Sequence, residues 1–271
     1  MKLSIVLSTQ PASFSALAYK GEFEANVAKI AALGYDGVEL AVRNPGLLNA
    51  KYVEKVVVEN GLRVPAIGTG QAYGEEGLSF THQDEEIRKQ AVQRIREHID
   101  FAAQFQALVI LGLIRGKIED TIDKNLALEW LLQALRECST YAISKSVKLV
   151  MEPINRYETN LVNTVAEGLD LIEKVGAENL GLLLDTFHMN IEEPSIEESI
   201  RNAAQRLFHF HIADSNRWYP GAGHINFEHV VAVLHDIGYK GYISAEILPL
   251  PNSDTCAEKT IITMRRINIR S

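Results

Sequence analysis

Eight short apolar runs alternate with longer amphipathic stretches along this chain of 271 residues. The first run is LSIVL at residues 3–7, and the last is GYISAEI at residues 241–247. The runs are continuously apolar, which is typical of parallel strands that are buried on both faces. Eight strand–helix units of this kind predict an α/β fold, a (β/α)8 TIM barrel, in which residues 1–271 form a single domain.

Local signals place the boundaries of the predicted elements. Gly34 and Gly61 follow amphipathic stretches and can end helices in the left-handed conformation. Asp84 can cap the helix that follows it. The glycine-rich segment 69–83 predicts a long loop that serves as a lid or substrate loop. The predicted strands are 3–7, 36–40, 63–68, 107–112, 148–153, 181–186, 207–214 and 241–247, and the principal helices are 22–33, 50–60, 121–144, 164–175, 196–204, 227–236 and 254–264.

Composition narrows the class of protein. The net charge is −8, from 27 basic and 35 acidic residues, which argues against a nucleic-acid partner and fits a small-molecule substrate. Cys138 and Cys256 are the only cysteines, so we expect no disulfide framework and a cytoplasmic location. No stretch approaches the length of an apolar membrane span, so we expect no membrane partner.

Four side chains of metal-ligand type follow four consecutive runs: Glu152, Asp185, His211 and Glu246, at spacings of 33, 26 and 35 residues. The carboxyl ends of the strands in a parallel barrel meet at one mouth, where such folds carry their chemistry. Any one of these residues alone is more often a helix cap or a solvated loop residue. Together they predict a metal site whose oxygen-rich ligands suit Mn²⁺ or Mg²⁺ better than a structural zinc.

Other polar side chains are predicted near the same mouth. His209 lies two residues before His211 on the same face of the strand, so we expect a hydrogen-bonded histidine deeper in the core. Arg43 and Arg115 follow the second and fourth strands, either as salt-bridge partners in loops or as ligands for a substrate carboxylate or phosphate. The remaining mouth candidates are Glu158, His188 and Arg217, whereas His98, His229 and His235 are expected on helix surfaces.

The segments that carry these residues resemble the D-tagatose/D-psicose 3-epimerase family of xylose-isomerase-like TIM barrels. They are EPINRYETN, LDTFHMNIEE, HIADSNRWYPGAGHINF and GYISAEILP, and the resemblance covers essentially the whole chain. Two further segments, GTGQAYGEEGLSFTH and LGLIRG, are similar to a subgroup that includes 5-keto-L-gluconate epimerase. That similarity implies a keto sugar acid, such as 5-keto-L-gluconate or D-tagaturonate, or another free ketose as substrate.

The resemblance implies a cytoplasmic, metal-dependent isomerase of carbohydrate metabolism. A divalent ion, Mn²⁺ by preference and otherwise Mg²⁺ or Co²⁺, would bind the ketose and hold its enediolate. Glu152 and Glu246 would remove and return the proton at C3, the carbon next to the keto group. Glu158 would hydrogen-bond Glu152, and His188 and Arg217 would hold substrate oxygens. The family also implies a homo-oligomer, either a dimer or a tetramer.

Three other functions are compatible with parts of the sequence. An aldose–ketose or sugar-phosphate isomerase of the same superfamily would use the same metal ligands. An endonuclease IV-like DNA-repair barrel would require more histidines at the mouth and a basic surface, which the acidic composition opposes. A non-catalytic sugar-binding or scaffold barrel would have no need of four intact ligand residues.

Overall fold

The computed structural model describes residues 1–270 and consists of nine parallel strands and ten α-helices. The strands are β1 (Lys2–Ser8), β2 (Tyr19–Lys20), β3 (Gly37–Ala41), β4 (Ala66–Gly68), β5 (Leu108–Leu111), β6 (Leu149–Met151), β7 (Leu180–Asp185), β8 (Leu207–Ile212) and β9 (Tyr242–Ala245). The helices are α1 (Phe23–Ala32), α2 (Ala50–Glu59), α3 (Gly70–Glu76), α4 (Glu85–Phe105), α5 (Lys124–Ser144), α6 (Val165–Val175), α7 (Thr186–Glu192), α8 (Ile196–Ala203), α9 (Phe227–Asp236) and α10 (Ser253–Arg270).

Eight of the strands close into a barrel. Each pairs in parallel with the next in the order β1, β3, β4 and onward to β9, and β9 returns to β1, where Ile5 pairs with Ala245. The two-residue strand β2 adds to β1 outside this ring. The predicted (β/α)8 TIM barrel is therefore confirmed.

Helix boundaries follow from the capping residues of the sequence. Thr164 and Glu167 form a capping box at the start of α6, in which each side chain accepts from the other residue's backbone N–H. The predicted cap Asp84 accepts from the backbone N–H of Glu86 at the start of α4. Gly34 and Gly61, which follow α1 and α2, have φ values of 88° and 73°. These satisfied ends explain why most predicted helices lie within three residues of the observed ones.

Two predictions about local structure were wrong. The segment predicted as a loop at 69–83 contains the helix α3, because its glycines do not prevent one short helix from packing over the barrel mouth. His98 on α4 is buried rather than at the surface, and its ring nitrogens lie 2.8 Å from the carbonyl oxygens of Arg94 and Val42.

Apolar side chains form three separate clusters, the smallest of which consists of Val6, Leu17 and Ala41. The main core lies between the outer faces of the strands and the surrounding helices. A smaller cluster, formed by Ala66, Ile110, Val150 and Leu183 of four adjacent strands, fills the barrel beneath its carboxyl-terminal mouth. Val150 and Leu183 lie two residues before Glu152 and Asp185, so strand alternation directs those carboxylates into the barrel above the apolar cluster. Among the described helices, none has the length and apolar character that crossing a membrane requires.

Candidate active site

Four predicted ligand residues converge at the mouth of the barrel. Glu152 and Glu246 directly follow β6 and β9, Asp185 is the last residue of β7, and His211 is the last residue but one of β8. One donor atom from each lies within 4.8 Å of the others. Glu152, Asp185 and His211 are buried, and Glu246 is partly buried. The register of the strands produces this cluster, because Asp185 pairs directly with His211 in the sheet.

Three of these residues have a buried oxygen or nitrogen atom that makes no hydrogen bond with any described residue. The Oδ1 atom of Asp185 caps α7 by accepting from Phe187 N at 2.8 Å, whereas its Oδ2 atom accepts nothing. Oε1 of Glu152 and Nδ1 of His211 also lack partners and lie 4.0 Å apart. Buried polar atoms are normally satisfied, so this set fits a divalent cation held by carboxylate oxygens and one imidazole.

The electrostatics of the cluster favour such a cation. Burial, and then the charge of Glu246, raise the pKa of Glu152 to about 8. Burial also raises the pKa values of Asp185 and Glu246. A divalent ion would offset the repulsion among these three carboxylates in their ionised forms.

A buried carboxylate that the sequence analysis did not identify lies behind this cluster. Glu39 of β3 is only 1% exposed, and it accepts hydrogen bonds from Nε2 of both His209 and His211. Burial would raise the pKa of Glu39, but the charge of His211 and the two hydrogen bonds hold it below its ordinary range. His209 is therefore the hydrogen-bonded core histidine that we expected. The signal for Glu39 was a carboxylate inside the apolar run DGVEL.

His188 is held as a neutral donor beside Glu152. Its Nδ1 atom lies 2.8 Å from the side-chain nitrogen of Asn155, which can only donate, so the ring proton is on Nε2. Nε2 is 3.8 Å from Oε1 of Glu152. Burial lowers the pKa of His188 well below its usual value. The ring of His188 can thus donate one hydrogen bond, from Nε2, beside the candidate ligand residues.

Arg217 connects two carboxylates at the mouth of the barrel, those of Glu158 and Glu246. Its guanidinium donates to Glu158 at 3.0 Å and to Glu246 at 2.9 Å. The same group lies between the rings of Phe14 and Phe187, at 5.1 and 4.7 Å from their centroids. The hydrogen bonds of Glu158 thus go to Arg217 and to Asn155 rather than to Glu152, the neighbour that the resemblance implied.

Neither Arg43 nor Arg115 lines the cavity above the cluster. The guanidinium of Arg115 is fully buried and donates to the backbone carbonyls of Gly112, Glu152, Leu161 and Val162. Arg43 lies with its Nε 3.5 Å from the carboxylate of Glu76. Contrary to our expectation, neither arginine is therefore placed to bind a substrate in the cavity. The donors of Arg115 are used by the backbone, and Arg43 points to α3.

The cavity above the cluster of candidate ligand residues has a volume of about 310 Å³. Its inner end is lined by Glu39, Glu152, Glu158, His188, His211 and Glu246, together with Arg217. Its outer end is lined by α3 and by the segment 13–17, which meet where the carboxylate of Glu75 accepts from the backbone and hydroxyl of Ser13 at 2.6 Å. Hydroxyl, amide and aromatic groups line this end, including Ser13, Phe14, Ser15, Thr69 and Gln71.

Known proteins of similar sequence and structure include several sugar epimerases. Residues 27–264 match the model of the xylose isomerase-like TIM barrel family. An L-ribulose 3-epimerase from Methylomonas sp. is 30% identical over 93% of this chain and 89% of its own length. A D-psicose 3-epimerase from Ruminiclostridium cellulolyticum is 31% identical over 84% of this chain and 79% of its own. A solved structure of an L-ribulose 3-epimerase superposes with a TM-score of 0.87 at 26% identity, covering 99% of this chain and 95% of that one.

The matched regions include all four strand ends that carry the ligand residues, since the family match begins before β3 and ends within α10. The relatives are named as epimerases of ketoses, and epimerases are isomerases. The chain therefore belongs to the xylose isomerase-like TIM barrel family, within its group of ketose 3-epimerases, and is an isomerase-class enzyme that acts on sugars.

Proposed function

We propose that this enzyme inverts C3 of an unphosphorylated ketose or keto sugar acid by removing and returning a proton. The observation that carries the proposal is the convergence of Glu152, Asp185, His211 and Glu246 within 4.8 Å, with the first, third and fourth of them lining a sugar-sized cavity. These four residues would hold a divalent ion, for which Mn²⁺ is the preferred candidate. The ion, when bound, would supply the positive charge that acidifies the C3 hydrogen next to the keto group.

Epimerisation requires two proton-transfer groups, one on each face of C3. Glu152 and Glu246 are the candidates because they enter the cavity from β6 and β9, on opposite flanks of Asp185 and His211. Arg217 donates to Glu246 at 2.9 Å and favours its carboxylate form, so Glu246 is suited to accept the proton. Glu152, which starts this half of the cycle protonated, would then donate its proton to the opposite face and be left as the carboxylate, and the roles exchange in the reverse reaction.

Two further side chains would position the substrate. His188 would offer its Nε2 proton to a substrate oxygen near C2 or C3. Arg217 has both terminal nitrogens bonded to carboxylates, so it would act mainly by fixing Glu246 and Glu158 and by closing one wall of the cavity.

The outer end of the cavity bears on the class of sugar. Among the described residues that line it, Arg217 carries the only permanent positive charge, and that charge is already paired. A phosphate dianion would therefore lack a cationic partner, whereas hydroxyl and amide groups can bind sugar hydroxyls or a single carboxylate. Within this class, the segments GTGQAYGEEGLSFTH and LGLIRG favour 5-keto-L-gluconate and D-tagaturonate as the substrate pair.

A substrate panel in deuterated water tests the proposal. The Mn²⁺-loaded enzyme would be incubated with D-tagatose, D-fructose, D-psicose, L-ribulose 5-phosphate, 5-keto-L-gluconate and D-tagaturonate, with products followed by NMR. We expect inversion with deuterium at the carbon next to the keto group. Conversion to an aldose, with label only at C1 or C2, would instead establish an aldose–ketose isomerase. Turnover of the phosphorylated sugar alone would contradict the substrate class.

Replacing Glu246 tests the assigned proton transfer. Glu246→Gln keeps the shape of the side chain but cannot accept the proton, so we expect kcat to fall by about 10²–10⁴-fold while Mn²⁺ still binds by calorimetry. Glu192→Gln is the matched control, because Glu192 pairs with Arg156 and does not line the cavity. Near-normal turnover of Glu246→Gln would remove this residue from the mechanism.

A further inference from the structure

We propose that Glu39 is a positioning residue that fixes the ring of His211 so that Nδ1 faces the metal cluster. The inference rests on the metal site of the proposed function, but it concerns a residue outside the four ligands. Glu39 comes from β3, on the other side of β1 from β9, and reaches His211 across the interior of the barrel. No other described residue makes a hydrogen bond to the ring of His211.

The geometry assigns the proton of His211. Its Nε2 atom lies 3.0 and 3.1 Å from the two carboxylate oxygens of Glu39, a forked contact that a ring N–H can make with a carboxylate. When Nδ1 gives up its proton to bind an ion, Nε2 keeps its proton against Glu39, and the lone pair of Nδ1 is then directed at the cluster. Nδ1 is the buried ring nitrogen without a partner, and it lies 4.0 Å from the similarly unpartnered Oε1 of Glu152.

His209 holds Glu39 in turn. Its Nε2 atom is 2.7 Å from Oε2 of Glu39, and its ring meets that of His211 edge to face with centroids 5.3 Å apart. Strand β8 therefore presents two histidines to one carboxylate, and the lower one prevents Glu39 from rotating away from the upper one. Carboxylate partners of metal-binding histidines commonly set the orientation of the ring and the strength of binding.

The first test measures which nitrogen of His211 binds metal in the wild-type enzyme. Protein labelled with 15N-histidine and loaded with cadmium-113 would be studied by NMR, where coupling between the two nuclei identifies the ligating nitrogen. We expect coupling at Nδ1 of His211 and a proton on Nε2. Coupling at Nε2 would overturn the assignment without any substitution. This readout does not depend on turnover, so it stands apart from the choice of sugar.

The second test weakens the contact. In Glu39→Gln one carboxylate oxygen becomes an NH2 group, so the forked contact with the ring N–H of His211 is lost and a second donor faces that N–H. We therefore expect the Kd for Mn²⁺ to rise by roughly 10–100-fold in calorimetry. Glu39→Asp keeps the charge at a shorter reach and should restore part of the lost affinity, which a purely steric defect would not allow.

Asp36→Asn is the matched control for this test. Asp36 lies just before β3 at the opposite end of the barrel, where its carboxylate accepts from the backbone N–H of Leu3, a bond that an amide oxygen retains. We expect its Kd to be unchanged. A folded Glu39→Gln enzyme with the Mn²⁺ affinity of Asp36→Asn would contradict a positioning role for Glu39.

Discussion

At the scale of single residues, the site is a cluster of charges that is costly to bury. Glu152, Asp185 and Glu246 share one small volume, and burial raises the pKa of each. Arg217 pairs directly with Glu246 alone of these three. The arrangement therefore costs stability when no cation is bound, as the arrangement of charges in functional sites often does.

This cost has a predictable pH dependence in the metal-free enzyme. The pKa of Glu152 is about 8 in the folded protein and near 4.5 when unfolded, so between these values the folded state binds the extra proton. Stability must then fall as pH rises from about 5 to about 8. We expect Glu152→Gln to remove roughly 2–4 kcal/mol of that fall, measured by urea unfolding in chelator across this range.

The rim carboxylate Glu192 provides the control for this pH series. Its hydrogen bonds from Arg156 lower its pKa, so Glu192→Gln should leave the slope between pH 5 and 8 unchanged. Equal slopes for wild type and Glu152→Gln would show that Glu152 is not the proton-binding group.

Sequence patterns predicted the convergence of the four candidate ligand residues better than the positions of the residues that support them. The ligands follow strands, so their convergence follows from the topology of a parallel barrel. Glu39 sits inside a strand, and only the closure of the barrel, which places β3 across the interior from β8, brings the two histidines opposite it. In the sequence, Arg115 cannot be distinguished from an arginine that binds substrate. Only its burial shows that its donors are used by the backbone.

At the scale of elements, the loops after the strands are held together by buried side chains. Arg115 links the loop after β5 to the end of β6 and to residues 161–162, through carbonyls of all three segments. Thr186 joins the loops after β7 and β8 by donating to Ala213 O and accepting from Ala213 N. These contacts fix the strand ends from which Glu152 and Asp185 project.

We therefore expect Arg115→Lys to damage both stability and metal binding. A lysine ammonium cannot reach carbonyls on three segments, and the buried carbonyls left without donors should cost roughly 2–4 kcal/mol in unfolding free energy. The Kd for Mn²⁺ should rise because the backbone of Glu152 loses its donor. Thermal unfolding and calorimetry provide the two measurements.

Arg43→Lys separates this effect from a general loss of guanidinium groups. Arg43 is partly exposed and its contact with Glu76 is 3.5 Å long, so its replacement should change stability by less than about 1 kcal/mol. If Arg115→Lys were as mild as Arg43→Lys, the buried carbonyl contacts would not stabilise the mouth.

Prediction of the elements succeeded where capping and hydrophobic pattern agree, as in α6 with its Thr164–Glu167 capping box. It failed at α3, because the three glycines of Gly70–Gly77 reduce helix propensity and the stabilising contact with Ser13 lies 62 residues away in sequence. The predicted surface position of His98 was wrong for a related reason, because the carbonyl of Val42 that its ring contacts belongs to another strand–helix unit.

At the scale of the whole molecule, the closed barrel would couple the binding of a metal at this cluster to folding. The ligands come from four separate strands, and the hydrogen-bonded ring from β1 round to β9 is what brings residues 94 positions apart in the chain together, as in the pair Glu152 and Glu246. The unfolded chain has no such cluster, so a metal that binds here binds only the folded state. Binding must then stabilise the entire barrel.

The corresponding measurement is a melting curve with and without metal. At a free Mn²⁺ concentration of 100 times Kd, binding adds about 2.7 kcal/mol, which for a chain of this size raises Tm by about 5–10 °C over the chelator-treated protein. Asp185→Asn should abolish that rise because it removes the unpartnered Oδ2, yet the metal-free variant should melt no lower than metal-free wild type because one buried charge is gone. Asp36→Asn should keep the full rise. A metal-dependent rise that survives in Asp185→Asn would locate the bound ion elsewhere on the protein and would separate the cavity from the metal.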